Sequence, residues 1–495
     1  MPHSPDLDRL AATVLQPGFD GTTAPAWLLR HLADGLGGVV LFARNIPPSG
    51  PSALIAELRR ENPDVIVAVD EEGGSVTRLQ AATGSSWPGN AALGAVDDED
   101  VTERTGTEIG RMLAAAGVTL DYAPDADVNA DPANPVIGIR SFGASADLVA
   151  RHTAAWVRGL QGTGVAACAK HFPGHGDTIT DSHLALPTVH ASRELLERRD
   201  LPPFRAAVAA GARAVMCGHL LVPALDPELP ASLSRRVLTG LLREELGFTG
   251  LVVTDAIEMR AVAAVHPPER IAVLALAAGA DAICAGITSP GGESVTALRD
   301  GIVRAVHEGG LPEQRLAEAA SRVRALARWH TEATRAASLD GASGLDPVHG
   351  VSRLGLDTAR RALRITPARP ARPVLTAPPL VVQMTARPHQ AIGDAVPYGP
   401  GEALTARLPG TRTVVLGPGH DLPDLPQDSP VVVVTHDAHR HAWMRDVLGE
   451  TLHRRPGAVV IETGLPGPAS GAVHLATHGD SRVSALAAAE WLTTS

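Results

Sequence analysis

Between residues 169 and 183 the chain reads AKHFPGHGDTITDSH. This stretch holds one ammonium (Lys170), three imidazoles (His171, His175, His183) and two carboxylates (Asp177, Asp181). Lys170 is the only lysine of the chain, and Lys plus Arg number 43, so arginine serves everywhere else. An ammonium is a compact cation with three rotatable donors, whereas guanidinium is a wide planar fork. A crowded polar pocket could admit the first and reject the second; the structural alternative is a fixed salt bridge at the strand end, where arginine would serve as well. A histidine next to a carboxylate can act as acid and as base near neutrality, because unperturbed imidazole titrates near pKa ~6.5. The three histidines with Asp177 or Asp181 could instead ligate a metal, although no HExxH or comparable zinc spacing is present.

Other groups capable of chemistry follow short apolar runs. Asp70 and Arg78 lie in DEEGGSVTR, Asp125 and Asp127 follow TLDYAP, and Arg140 lies in NPVIGIRSFG. His219 ends AVMCGH, and Asp255 lies in VVTDAIEM. Singly, each has a structural reading. Asp255 could cap a helix, Asp70 and Arg78 could form an ion pair, and Gly73 and Gly74 could make a turn. Jointly they place charge at the ends of several strands, and charge is costly to bury without partners. That pattern belongs to a site more than to a core.

The positioning elements are legible. Eight β-rich runs precede residue 290, at 13–17, 38–43, 65–70, 119–124, 165–170, 214–219, 251–255 and 282–286. Amphipathic segments such as 100–117, 146–161 and 234–247 separate many of them. Unbroken apolar strands alternating with helices predict a (β/α)8 TIM-type barrel, whose catalytic groups sit at the carboxyl ends of its strands. The reading assigns 1–336 to the barrel, closed by a helix over 312–330. A Pro/Ala/Arg-rich linker with one short helix spans 337–378. A smaller α/β sandwich domain spans 379–495, with strands at 380–384, 413–417, 431–437 and 458–464 and a helix over 439–455.

Composition narrows the class. A net charge of −11 argues against a nucleic-acid partner. Three scattered cysteines (Cys168, Cys217, Cys284), each in an apolar run, offer neither a disulfide framework nor zinc spacing. The N-terminal residues have no basic stretch followed by an apolar one, and no apolar run approaches the ~18 residues of a membrane span. These features predict a cytoplasmic protein that binds no membrane, and a monomer is the default.

The segments GGVVLFARN (37–45), DEEGGSVTR (70–78), NPVIGIRSFG (134–143), KHFPGHGDTITDSH (170–183) and PASLSRRVLTGLLREELGFTGLVVTDAIEM (230–259) occur in order. With them the chain resembles glycoside hydrolase family 3, in its β-N-acetylglucosaminidase (β-N-acetylhexosaminidase) branch, over nearly all of 10–335. The resemblance implies a carbohydrate substrate, no cofactor and no metal. It implies that Asp255 is the nucleophile, His183 the general acid/base and Asp181 its partner. It also implies that Asp70, Arg78, Arg140, Lys170 and His171 hold the sugar, with His219 at the end of strand six as a further contact. Ser75 and Ala256 stand where relatives often carry other residues, and neither touches this chemistry.

The implied activity is retaining exo-hydrolysis of terminal β-linked N-acetylglucosamine from peptidoglycan fragments or chitooligosaccharides. A phosphorylase or β-glucosidase of the same family, and a sugar-binding protein without catalysis, remain as alternatives.

Overall fold

A computed structural model describes residues 5–181, 185–337, 349–367, 375–386 and 399–494. The chain forms two compact units. The first comprises Met1–Glu71, Thr102–Ile137 and Ala144–Gly341; the second comprises Glu72–Val101, Gly138–Gly143 and Ala342–Ser495.

The first unit is a barrel of eight parallel strands: β1 (Leu15–Pro17), β2 (Gly38–Leu41), β3 (Ile66–Val69), β4 (Leu120–Asp121), β5 (Ala166–Phe172), β6 (Ala214–Cys217), β7 (Leu251–Thr254) and β8 (Ile283–Ala285). Seven fall within the runs expected from the sequence, and β5 extends two residues past its run at 165–170. Strands β2 to β7 pair in chain order, and β8 pairs with β1. A parallel bridge between Val253 and Ala282 joins β7 to β8. On the remaining side β1 lies against β2 so closely that a Cβ on Gly38 would come within 2.8 Å of the Gln16 side chain.

Alternate residues face inward because the side-chain period of a strand is two. Val40, Ala68, Tyr122, Cys168, Met216, Val253 and Cys284 accordingly share one buried cluster, with Val323 and Leu326 of the helix Glu313–Ala336 packed against it. The Tyr122 hydroxyl donates to Gln16 Oε1 at 2.5 Å, so a polar atom in this core is satisfied. The three cysteines are free thiols, fully buried, and burial raises their pKa well above the usual range. They behave as small apolar side chains.

In the second unit the strands β9 (Arg364–Pro367), β10 (Leu380–Met384), β11 (Arg412–Leu416), β12 (Val431–Thr435), β13 (Val459–Glu462) and β14 (Val473–Ala476) form one sheet in the order β11-β10-β12-β13-β14-β9. Only β9, at the edge, runs antiparallel. Val432 and Val434 pack on one face with Leu404, Ala488 and Leu492, while Val431 and Val433 pack on the other with Met444. That alternation makes a three-layer sandwich. Residues 72–101 and 138–143, which the sequence reading places within 1–336, cluster with this unit. Their packing is close: a Cβ on Gly355 would sit 1.9 Å from the Ser86 carbonyl oxygen, and Arg361 pairs with Asp98 at 2.8 Å. The helix Arg353–Ala362 and β9, in the segment read as a linker, also belong to this unit. No helix among the described residues is long and apolar enough to cross a membrane.

Candidate active site

The carboxyl ends of the barrel strands carry a polar set. Asp70 follows β3, Asp125 and Asp127 follow β4, Lys170 and His171 lie in the last turn of β5, His219 follows β6 and Asp255 follows β7. Strand β5 loses regular pairing with β6 between Ala169 and Phe172. Such an irregularity re-aims side chains at a strand end, and the adjacent residues Lys170 and His171 engage different carboxylates.

Lys170 is 1% exposed, and its Nζ donates to Asp70 Oδ1 at 2.7 Å. His171 engages Asp127 through Nδ1 at 2.7 Å. The loop after them is stapled to the segment that follows β4. A Cβ on Gly176 would sit 1.8 Å from the Val128 carbonyl oxygen, which explains the second glycine of the PGHG turn. Asn134 Nδ2 donates to the His175 carbonyl at 2.8 Å, and the Asp131 N–H donates to that of Gly176 at 3.2 Å.

His175 is buried with Nδ1 on Thr178 Oγ1 at 2.8 Å. Burial, reinforced by His171, pushes its pKa down to about 4, so it is neutral at pH 7 and acts as a spacer. Asp177 pairs with Arg199 at 2.8 Å. Thus His175 and Asp177, considered above as metal ligands, are engaged structurally. Among the described residues, Asp125, Asp127 and His171 place one possible ligand atom each within 4.8 Å of one another. The closest of those contacts is the hydrogen bond from His171 to Asp127.

Asp255 sits at the tip of β7, half-buried. Its N–H donates to the Cys217 carbonyl at 3.0 Å, and its Oδ1 accepts the Ala256 N–H at 2.8 Å. His219 has no exposed surface. Its Nε2 lies 3.1 Å from the Ala256 carbonyl and its Nδ1 2.6 Å from Ser232 Oγ. A carbonyl only accepts, so Nε2 carries a proton. Both ring nitrogens therefore have protein partners, and His219 holds the turn that follows Asp255. Asp181 is half-buried, with its carbonyl accepting the Ala185 N–H at 3.1 Å. His183 lies outside the described residues.

Two arginines singled out from the sequence lie in the second unit. Arg140 is buried and grips Glu72 with two bonds, Nε to Oε2 at 3.0 Å and Nη2 to Oε1 at 2.7 Å. Arg78 is 6% exposed. Asp127 and Glu258, in the barrel, are carboxylates to which the sequence reading gave no role, as is Glu72 in the second unit. For Glu258 a signal existed, as it stands three residues past Asp255. Burial lifts its pKa to about 7, the backbone N–H groups of Glu258, Ile287 and Gly286 counteract this, and the Asp255 charge adds to the rise. Its Oε2 has no hydrogen-bond partner among the described residues.

The burial of Lys170 sharpens an expectation. Lys170→Arg must fit a broader cation into a space with 1% exposure beside Asp70. We expect kcat/KM to fall roughly 10- to 1000-fold with a small change in Tm. Steady-state kinetics and a thermal melt on one preparation check this. Near-full activity would make the lone lysine an accident of composition.

A barrel with acid, base and ammonium groups at the carboxyl ends of its strands is the architecture of an enzyme whose site is built by its βα loops. The glycosyl hydrolase family 3 N terminal domain matches residues 20–326, and the chain belongs to that family of glycoside hydrolases. Over 98% of its length it superposes, with a TM-score of 0.84 and 32% identity, on 96% of a solved glycoside hydrolase family 3 beta-N-acetylglucosaminidase from Paenibacillus sp. str. FPU-7. A beta-hexosaminidase of Pseudomonas aeruginosa is 37% identical over 259 residues, which is 51% of this chain and 75% of that protein. Beta-hexosaminidase A of Pseudoalteromonas piscicida is 32% identical over 283 residues, 52% of this chain and only 47% of that relative.

Proposed function

We infer that the chain is a retaining exo-β-N-acetylglucosaminidase acting on short glycosides, either peptidoglycan fragments or chitooligosaccharides. The observation that carries the reading is the likeness, over nearly the full chain, to a family 3 enzyme of that name, together with Asp255 at the end of β7. A carboxylate there attacks the anomeric carbon as His183 protonates the leaving oxygen, giving a glycosyl ester on Asp255. His183 then takes a proton from water, which attacks the ester and restores the carboxylate. Asp181, two residues away, orients the imidazole and stabilises its cation, the role of the third member of a triad. Substrate-binding roles for Asp70, Arg78, Arg140, Lys170, His171 and His219 are part of the same proposal, as are a cytoplasmic location and a monomer.

A panel of p-nitrophenyl glycosides, assayed with and without phosphate, tests it. We expect turnover of the β-N-acetylglucosaminide well above the β-glucoside, with no dependence on phosphate. A sugar 1-phosphate product would replace hydrolase with phosphorylase, and binding without turnover would leave a sugar-binding protein.

A further inference from the structure

We propose that Asp127 is a positioning residue for the active site, a buried carboxylate that fixes both the orientation and the proton of the His171 ring. The inference builds on the reading of His171 as a substrate contact.

Asp127 has no exposed surface, and its carboxylate engages the loop that follows β5. Its Oδ1 accepts the His175 N–H at 2.6 Å, and its Oδ2 lies 2.7 Å from His171 Nδ1. The His171 N–H lies 3.3 Å from both oxygens. Backbone N–H groups favour the charged form of a carboxylate, and an ionised carboxylate can only accept. His171 Nδ1 must therefore be the donor, which leaves Nε2 as the other polar atom of the ring. The Asp127 N–H is in turn held by Asp125 Oδ1 at 3.0 Å, and the Asp125 backbone pairs with that of Lys170 in a parallel β-bridge. The His171 ring also meets His175 edge to face at 5.9 Å, and His175 itself is pinned by Thr178 and Asn134. Asp127 and Asn134 contribute to these supports from the segment after β4, and Asp127 bonds both the loop backbone and the ring.

A plain loop staple would use the same carboxylate. The two roles separate in Asp127→Asn. The amide oxygen can still accept the His175 N–H, but its NH2 group then faces His171 Nδ1. It would donate there and drive the imidazole to the Nε2–H form. We expect kcat/KM to fall about 10- to 100-fold, the usual cost of losing a partner that orients a functional imidazole, with Tm little changed.

The decisive readout is 15N NMR of the histidine rings in full-length protein labelled at imidazole nitrogen, with the His171 signals identified by their loss in His171→Asn. Wild-type protein should show His171 protonated at Nδ1, and Asp127→Asn should show the proton moved to Nε2. That wild-type measurement needs neither activity nor a folded Asp127 variant, so absence of glycosidase activity would sink the proposed function and leave this inference standing. An Nε2–H tautomer in the wild type would overturn it, as would a folded Asp127→Asn with unchanged kcat/KM in an active enzyme. A shift of the His171 signals on adding zinc or EDTA would also overturn it, by making the Asp125–Asp127–His171 cluster a metal site.

Discussion

Asp255→Ala is expected to abolish glycoside turnover and leave the fold intact. In the proposed mechanism water cannot replace the nucleophile at the same place, because the ester route needs a carboxylate within bonding distance of the anomeric carbon. The loss in kcat is several orders of magnitude. Stability should change little, since Asp255 is half-buried and a bond such as that from the Ala256 N–H to its Oδ1 is worth about 1 kcal/mol. Azide should restore part of the cleavage and yield a glycosyl azide of inverted configuration, because a small anion fills the space left by the carboxylate. Removing Asp255 also removes a charge that raises the pKa of Glu258. Wild-type kcat in the folded variant would sink the assignment.

His183→Ala should separate substrates by their leaving groups. Proton donation to the departing oxygen matters when the aglycone is a poor leaving group, and contributes about 10²- to 10⁴-fold there. A dinitrophenyl glycoside needs no proton. We therefore expect kcat/KM for a disaccharide to fall by that factor, while the activated glycoside loses far less in the bond-breaking step. Equal losses on both substrates would count against His183 as the acid. Asp181→Asn should give a milder version of the same divergence, because the imidazole survives without its orienting carboxylate.

The barrel was readable because its signals are local. Eight apolar runs divided by amphipathic stretches need no knowledge of what touches what, and each run holds a strand, with β5 extending two residues past its run. In the second unit, runs at 380–384 and 431–435 were equally plain, since buried parallel strands are apolar on both faces. The strands at 364–367 and 473–476 were not read. The first lies in a Pro/Arg-rich setting and pairs antiparallel at a sheet edge, and the second, VHLA, is short and interrupted by His474. Likewise the short helix Asn90–Val96, in an Ala/Gly run without an apolar stripe, gave no periodic signal.

By itself the sequence determined the barrel strands, the residue types gathered at their ends and, through the KHFPGHG and TDAIEM segments, the family resemblance. Only the tertiary structure decided the partners. Lys170 meets Asp70 across 100 residues, Arg140 meets Glu72 across 68, and His171 meets Asp127 across 44. It also showed that His219, one strand end among several in the sequence, has both ring nitrogens bonded within the protein. The physical reason is that a strand's own residues dictate that it is a strand, whereas which carboxylate a cation meets at its end depends on strand order, register and barrel closure, which no single segment encodes.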